Sequence, residues 1–380
     1  MGRRPLLVGK FADIGRETIV YHSGWRSDSM DTNDRRKAVC RDDCSLAQKE
    51  CHRGARGASA QETSSAGGKQ TRLDRRGFLS QASFTGGLAA AAQALSAAGG
   101  DTGQDRPLAE LQAIFADWEA PAEIVDVNVY LGPWPFRSLE GEQADRLVGR
   151  LKGYGVVQAW AGSFEALLHR DLRGVNARLV QWCRAVGNSF LLPMGVVNPK
   201  LPDWEEDLRQ IVEEYGLPGI RLHPDYHQYS LDDPDFVRLL TLASRHGLVV
   251  QLVLMIEDER TVHPAVKVPM VDPRPLAAVV SQIRGLKLVL LNAQRVTPLP
   301  LLAQIAQAGQ VFVDISWQEG VGGVENLLSR LPWQQVVFGS YSPRFYFASA
   351  LLKLRESDLR GQPLRAIACE NARTLLKQKL

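Results

Sequence analysis

From Ala122 onward, short β-branched or Leu-rich runs alternate with segments whose apolar residues recur at three- and four-residue spacing, and the alternation repeats eight times. The runs are Ile124–Leu131, Val156–Ala161, Phe190–Val197, Gly219–His223, Leu248–Leu254, Leu286–Leu291, Val311–Ser316 and Val336–Ser340. Between and after them, Glu142–Lys152, Phe164–Ala185, Trp204–Tyr215, Asp235–His246, Pro275–Ile283, Pro300–Gln307, Val324–Leu331 and Phe345–Glu356 carry the helical period. Gly216 and Gly247 stand where a left-handed residue would close a helix before a strand. Eight βα units in roughly 260 residues is the size of a closed parallel barrel. An open doubly wound sheet is the alternative, but no Gly-rich phosphate loop follows the first strand. The fold expected over 122–380 is therefore α/β, a (β/α)8 TIM barrel, with a last helix, Ala366–Leu376, across its bottom or side.

The preceding residues are of another kind. Residues 1–72 are rich in Gly, Ser, Arg, Asp and Gln without an apolar period, which predicts a disordered leader. Asp74-Arg75-Arg76-Gly77-Phe78-Leu79-Ser80 precedes a mildly apolar Ala/Gly stretch, Ala82–Ala98. That order resembles a twin-arginine export signal, so 73–98 reads as a signal segment, 99–121 as a linker, and the protein as exported to the periplasm or beyond. The stretch is too short and too poor in large apolar residues for a stable membrane span. The 74 residues ahead of the arginine pair are unusual for such a signal and point to an extension or to a later start such as Met30. Charge divides in the same place. Residues 1–105 hold 16 basic and 12 acidic side chains and residues 106–380 hold 29 and 30, so the barrel has no electrostatic case for binding nucleic acid. Cys40, Cys44 and Cys51 fit no zinc pattern well, and only Cys183 and Cys369 remain in the barrel, so disulfides do not stabilise it.

In such barrels chemistry sits at the C-terminal ends of the strands. Those ends carry Asn128, Tyr130, Trp134 and Arg137 after the first strand, Arg221, His223, Asp225, Tyr226 and His227 on and after the fourth, and Asn292 after the sixth. Trp317 follows the seventh, with Tyr341 and Arg344 after the eighth. The list is polar and aromatic, as befits a ligand pocket.

Ile124-Val125-Asp126-Val127-Asn128-Val129-Tyr130-Leu131-Gly132, Gly219-Ile220-Arg221-Leu222-His223-Pro224, Phe338-Gly339-Ser340-Tyr341-Ser342-Pro343 and Asn371-Ala372-Arg373-Thr374-Leu375-Leu376, in that order, resemble the amidohydrolase superfamily, in its branch of aromatic-acid decarboxylases and dicarboxylate lactonases. The resemblance spans Ile124 to about Leu376. It implies a divalent metal held by first-, fifth- and sixth-strand histidines and an eighth-strand aspartate. Asn128, Tyr130, Val253, Asn292 and Tyr341 stand at those positions here, and none is a good ligand for a zinc-type ion. No metal or other cofactor is therefore expected.

The densest remaining chemistry is Arg221-Leu222-His223-Pro224-Asp225-Tyr226-His227. A histidine titrates near neutral pH and moves protons when a carboxylate or phenol orients it, which makes His223 the expected acid or base, with Asp225 or His227 as partner. The three together could instead hold a relocated metal. Arg137, Arg221 and Arg344 suit a substrate carboxylate, or ion pairs with Asp225 or Asp314. Asn128, Tyr130, Trp134, Asn292, Trp317 and Tyr341 would line the pocket. Asp126 and Asp314, within strands, read as structural acceptors, and Glu257 as a spare base near the top face. The function expected is metal-independent hydrolysis of a small carboxylated ester or lactone. The alternatives are an inactive barrel that binds a ligand or partner, and a metal-dependent hydrolase or decarboxylase with a moved site.

Overall fold

The computed structural model describes residues 107–114, 118–139, 143–187, 189–263, 266 and 268–377. The chain divides into two units, 1–84 and 85–380, and every described residue belongs to the second. The leader, the twin-arginine motif with its apolar stretch, and Cys40, Cys44 and Cys51 lie outside the described residues. Among the described residues no helix is long and apolar enough to cross a membrane.

The predicted runs become β1 (Ile124–Leu131), β2 (Val156–Ser163), β3 (Leu191–Pro193), β4 (Gly195–Val196), β5 (Gly219–Leu222), β6 (Val249–Val253), β7 (Lys287–Leu291), β8 (Gln310–Asp314) and β9 (Val336–Val337). All pair in parallel, as β1-β2-β3 and as β4 through β9 in order. β3 and β4 are one predicted run interrupted at Met194, where Pro193 has no N–H to give the ladder and the Met194 N–H donates to Ala161 O at 2.8 Å. The ring closes where Val127 N–H donates to Phe338 O (3.0 Å) and Tyr130 N–H to Ser342 O (2.9 Å). The result is the eight-position barrel that the period predicted.

One irregularity sets the geometry of the mouth. Between Asp126 and Val129, β1 advances three residues while β2 advances two, which is a bulge centred on Asn128. Val125, Val127 and Tyr130 consequently share the inner core with Trp160, Met194 and Val289, whereas Val129 and Leu131 pack outward with Leu147 and Leu179. Simple alternation along β1 fails at that point. The carbonyls of Val127 and Val129 at the bulge are met by Arg221 of β5, which is fully buried. Its Nη1 donates to Val129 O (2.8 Å), its Nη2 to Val127 O (3.1 Å) and Trp160 O (3.0 Å), and its Nε to Gln251 Oε1 (2.8 Å). The guanidinium also lies 4.5 Å from the Tyr130 ring centroid. Only a residue without a Cβ fits beside it at 162, since a Cβ there would sit 2.7 Å from Arg221 Nη1.

Local structure departs from expectation in four places. Phe164–Ala185 is not one helix: a 3-10 turn, Phe164–Leu167, is followed by a break and by the helix Leu172–Ala185, where Asp171 caps the Gly174 N–H at 2.9 Å. A short helix, Pro224–His227, follows β5, with Pro224 at the first position where a missing N–H costs nothing. A helix Pro107–Ile114 lies in the stretch read as linker. The last helix begins as a π-helical segment, Ala366–Glu370, before Asn371–Lys377. Cys369, Ala372 and Leu375 from this end join the inner core, and Asn371 Nδ2 donates to Trp333 O and Val336 O, so the terminal helix seals the end of the barrel opposite the mouth. Gly216 and Gly247 hold φ of +62° and +67°, the left-handed closures expected of them.

Candidate active site

The barrel mouth is packed rather than open. Tyr130 stacks on Phe164 at 4.5 Å, and Tyr341 meets Tyr130 edge-on at 5.6 Å. Trp134 meets Phe164 at 5.0 Å, and Trp317 meets Tyr341 at 6.4 Å. All four expected aromatic site residues, Tyr130, Trp134, Trp317 and Tyr341, are buried by these contacts. Beside them lies a polar knot. Asn128 Nδ2 is within hydrogen-bonding distance of Asn292 Oδ1 (2.9 Å), Asp314 Oδ2 (2.8 Å) and Ser316 Oγ (3.2 Å), and Ser316 Oγ donates to Asn292 Oδ1 at 2.8 Å. Asp314 Oδ1 accepts from the Asn292 N–H. Asp126 accepts from the N–H groups of Asn128 and Ser340 and from Ser340 Oγ (2.5 Å), and burial raises its carboxyl to about 7.

Two of these residues reach outward to hold the segment after β6. Asn292 Nδ2 donates to Met255 O at 2.7 Å and Tyr341 Oη to Ile256 O at 2.5 Å, each from a residue with left-handed backbone, φ +56° and +59°. The next residue along, Glu257, forms a buried ion pair with Arg344 (2.5 Å), whose guanidinium lies 4.4 Å from the Trp134 ring centroid. Arg344 thus pairs with Glu257 and not with Asp225 or Asp314. Arg137 is exposed on its loop, and Arg221 is spent inside the barrel.

The three residues expected to form a relay are each bonded elsewhere. His223 Nε2 shares a hydrogen bond with Tyr130 Oη (3.1 Å), its Nδ1 is buried without a partner, and burial, reinforced by His227 and Arg221, holds its pKa well below the usual value. His227 Nε2 lies 2.9 Å from Ala166 O and so carries the proton, while its ring is 5.7 Å from that of His223. Asp225 accepts from the N–H groups of Tyr226 (2.9 Å) and Ile256 (3.3 Å) and contacts no cation among the described residues. Burial raises its carboxyl to about 7. Among the described residues no three His, Cys, Asp or Glu side chains converge on one point.

Asp225 alone of the expected catalytic residues lines an open space. A cavity of about 1050 Å³ lies at the C-terminal ends of β5 and β6, with Leu254, Met255, Val268 and Met270 as apolar wall and Asp225, Tyr226, Glu257 and Arg295 as polar wall. Tyr226 Oη and Glu257 Oε2 are buried there without partners, as is Nη1 of Arg344 behind Glu257. Tyr226 was among the expected strand-end residues, and Arg295 was missed. Nothing in the sequence around Arg295 marks it as facing the residues after β6.

The sequence profile of the family described as Amidohydrolase matches residues 127–378. No curated protein sequence matches the chain. Among solved structures, the 2,6-dihydroxybenzoate decarboxylase from Rhizobium superposes with a TM-score of 0.51 at 11% identity, over 68% of this chain and 99% of that one. The 5-carboxyvanillate decarboxylase from Sphingomonas paucimobilis gives 0.52 at 12%, over 68% and 100%. A dihydroxybenzoic acid decarboxylase from Polaromonas sp. JS666, solved with manganese and 2-nitroresorcinol, gives 0.51 at 11%, over 68% and 97%. At such identities the likeness establishes the barrel fold and nothing finer. With the profile covering the whole barrel from the second half of β1 to the terminal helix, the chain belongs to the amidohydrolase family.

Proposed function

We propose that this amidohydrolase-family barrel hydrolyses a small ester or lactone in the cavity above β5 and β6, with Asp225 moving the proton and no divalent ion at the family's metal position. The observation that carries the reading is a buried carboxyl, without a cation among the described residues and raised to about 7, on the wall of a cavity of about 1050 Å³. Near neutral pH such a group is close to half ionised, the condition in which one side chain both accepts and returns a proton effectively. As carboxylate, Asp225 takes a proton from water as that water attacks the acyl carbon; as acid, it returns the proton to the departing alkoxide oxygen. The Tyr226 hydroxyl, on the same short helix, is buried without a hydrogen-bond partner.

The residues at the positions implied for a metal do not fit one. Val253 has no donor atom, Asn292 and Tyr341 are committed to Met255 O and Ile256 O, and Asn128 Nδ2 to Asp314, which leaves Asn128 Oδ1, buried without a partner, as a single neutral donor too few to hold an ion. Tyr130 is committed to His223, and its phenol is pushed by burial further from ionisation. A relocated ion on His223, Asp225 and His227 has less support, because each is bonded to a different protein group. Export by the twin-arginine route remains part of the proposal, and N-terminal sequencing of the secreted protein tests it.

A binding protein without turnover is the second reading, favoured by the packed mouth. Chelator-treated protein assayed against small esters and lactones separates the two. The expected result is turnover that falls by about a hundredfold or more in Asp225→Asn. Thermal stabilisation by the same compounds without turnover supports the binder, and turnover that needs added metal contradicts both readings.

A further inference from the structure

The apolar wall of the same cavity indicates what it admits, and this step rests on the cavity being the site. Asp225 Oδ2 accepts from the Ile256 N–H at 3.3 Å, which places the carboxyl at the end formed by Leu254 and Met255 just after β6. Leu254 is 1% exposed, so that end is closed. Val262, Val266 and Val268 on the same wall are half-buried, and Met270 is 70% exposed at the outer end. Folding thus leaves a run of aliphatic side chains partly in water, and a ligand that covers them gains by removing their surface from water. The aromatic residues of the mouth take no part in this wall. Tyr130, Phe164, Trp134, Trp317 and Tyr341 pack on one another, and Tyr226 and His263 are the only aromatic rings among the described lining residues. At about 1050 Å³ the space is at the upper end of the range for organic ligands, far more than an acetyl ester fills. Met255 and Met270, unbranched and freely rotating, suit a flexible chain.

We propose that the cavity takes an ester whose acyl group is an unbranched alkyl chain of medium length, with the carbonyl at Asp225 and the chain running outward along Val262, Val266 and Val268 to Met270. The valines and Met270 are then the residues that set chain-length preference. Lys267, between Val266 and Val268, lies outside the described residues. Chain length is therefore read in a neutral and an anionic series: a cation near the head group moves every member of a series alike, whereas contact with the wall accumulates with each methylene.

Binding is measured by calorimetry on the full chain carrying Asp225→Asn, so that turnover plays no part. The probes are acetamide, butyramide, hexanamide and octanamide, the matching alkanoates, and hydrocinnamamide. In both series affinity is expected to rise about two- to threefold per methylene, less than the roughly fourfold of complete burial because the outer end is open to solvent. Octanamide is expected to bind more tightly than hydrocinnamamide, whose ring meets aliphatic groups along this wall. Adding Met270→Asn, at an exposed position, is expected to weaken octanamide about threefold and to leave butyramide unchanged, and adding Val268→Asn to weaken octanamide about tenfold. Non-specific adsorption also rises with chain length but ignores both substitutions. Affinity that does not rise with length, octanamide unmoved by both substitutions, tighter binding of hydrocinnamamide, or binding of none of the probes overturns the proposal. Length-dependent binding without hydrolysis of ethyl octanoate by chelator-treated wild type overturns the hydrolase reading alone. Hydrolysis as fast for ethyl acetate as for ethyl octanoate overturns the chain-length proposal alone.

Discussion

Tyr341 Oη donates to the backbone carbonyl of Ile256 at 2.5 Å, so a side chain at the eighth-strand rim holds the segment that forms the cavity wall. Asn292 does the same for Met255. Two positions that the family resemblance connects with metal binding thus act as tethers here. Removing the phenol oxygen in Tyr341→Phe is expected to cost about 1 kcal/mol in urea unfolding. Because the tether is remote from the reacting atoms, KM should rise about three- to tenfold with kcat within about twofold. Steady-state kinetics on the best substrate check the split, and a fall in kcat alone would contradict it.

Gly162 and Arg221 form a second coupled pair. In Gly162→Ala the new methyl would sit 2.7 Å from Arg221 Nη1 and displace the fork from the carbonyls of the β1 bulge. A destabilisation of about 2–4 kcal/mol is expected, from overpacking plus lost hydrogen bonds to buried carbonyls. Thermal unfolding measures it, and an unchanged midpoint would mean that the bulge is held by something else.

For the Glu257–Arg344 pair, breaking either side leaves a buried charge alone. Arg344→Met is expected to cost about 3–5 kcal/mol, whereas the double variant Glu257→Gln/Arg344→Met recovers most of the loss. Additive losses in a double-mutant cycle would show that the two side chains act independently.

Proton linkage gives a prediction of unusual sign. Asp126 and Asp225 are raised by burial from 3.8 to about 7, so between those values the folded chain holds protons that the unfolded chain has released. Their contribution is complete below about pH 4 and is lost as pH rises through 7, by up to about 1.4 kcal/mol per pH unit for each group. His223, held well below its usual 6.5, works the other way: its contribution is present above 6.5 and lost as pH falls. Asp225→Asn isolates one part of this. Its stability relative to wild type should improve by about 2–3 kcal/mol between pH 5 and 7.5 in urea titrations. A difference independent of pH would show that Asp225 titrates normally.

The barrel was legible because its signal is periodic. Eight apolar runs with helical spacing between them leave few topologies, and even the interrupted third run kept its place once Met194 took over the ladder from Pro193. The bulge at Asn128 was not legible, since nothing in Asp126-Val127-Asn128-Val129 distinguishes a strand that slips one residue from one that alternates. Asp225 was legible as chemistry from its neighbours His223 and His227, but its separation from both was not, because the partners that claim them, Tyr130 and Ala166, lie on distant segments. The cavity depends on residues after β6 such as Leu254, Met255 and Glu257, which carry no apolar period to announce their course. The Glu257–Arg344 pair spans 87 residues and could be seen only once the ring had closed.

The most direct test of the account is a pH–rate profile of chelator-treated protein on a small ester or lactone. The prediction is activity without added metal that follows an apparent pKa near 7, a limb that disappears in Asp225→Asn. A protein inactive until a divalent ion is restored, or a profile identical in the Asn variant, would contradict it.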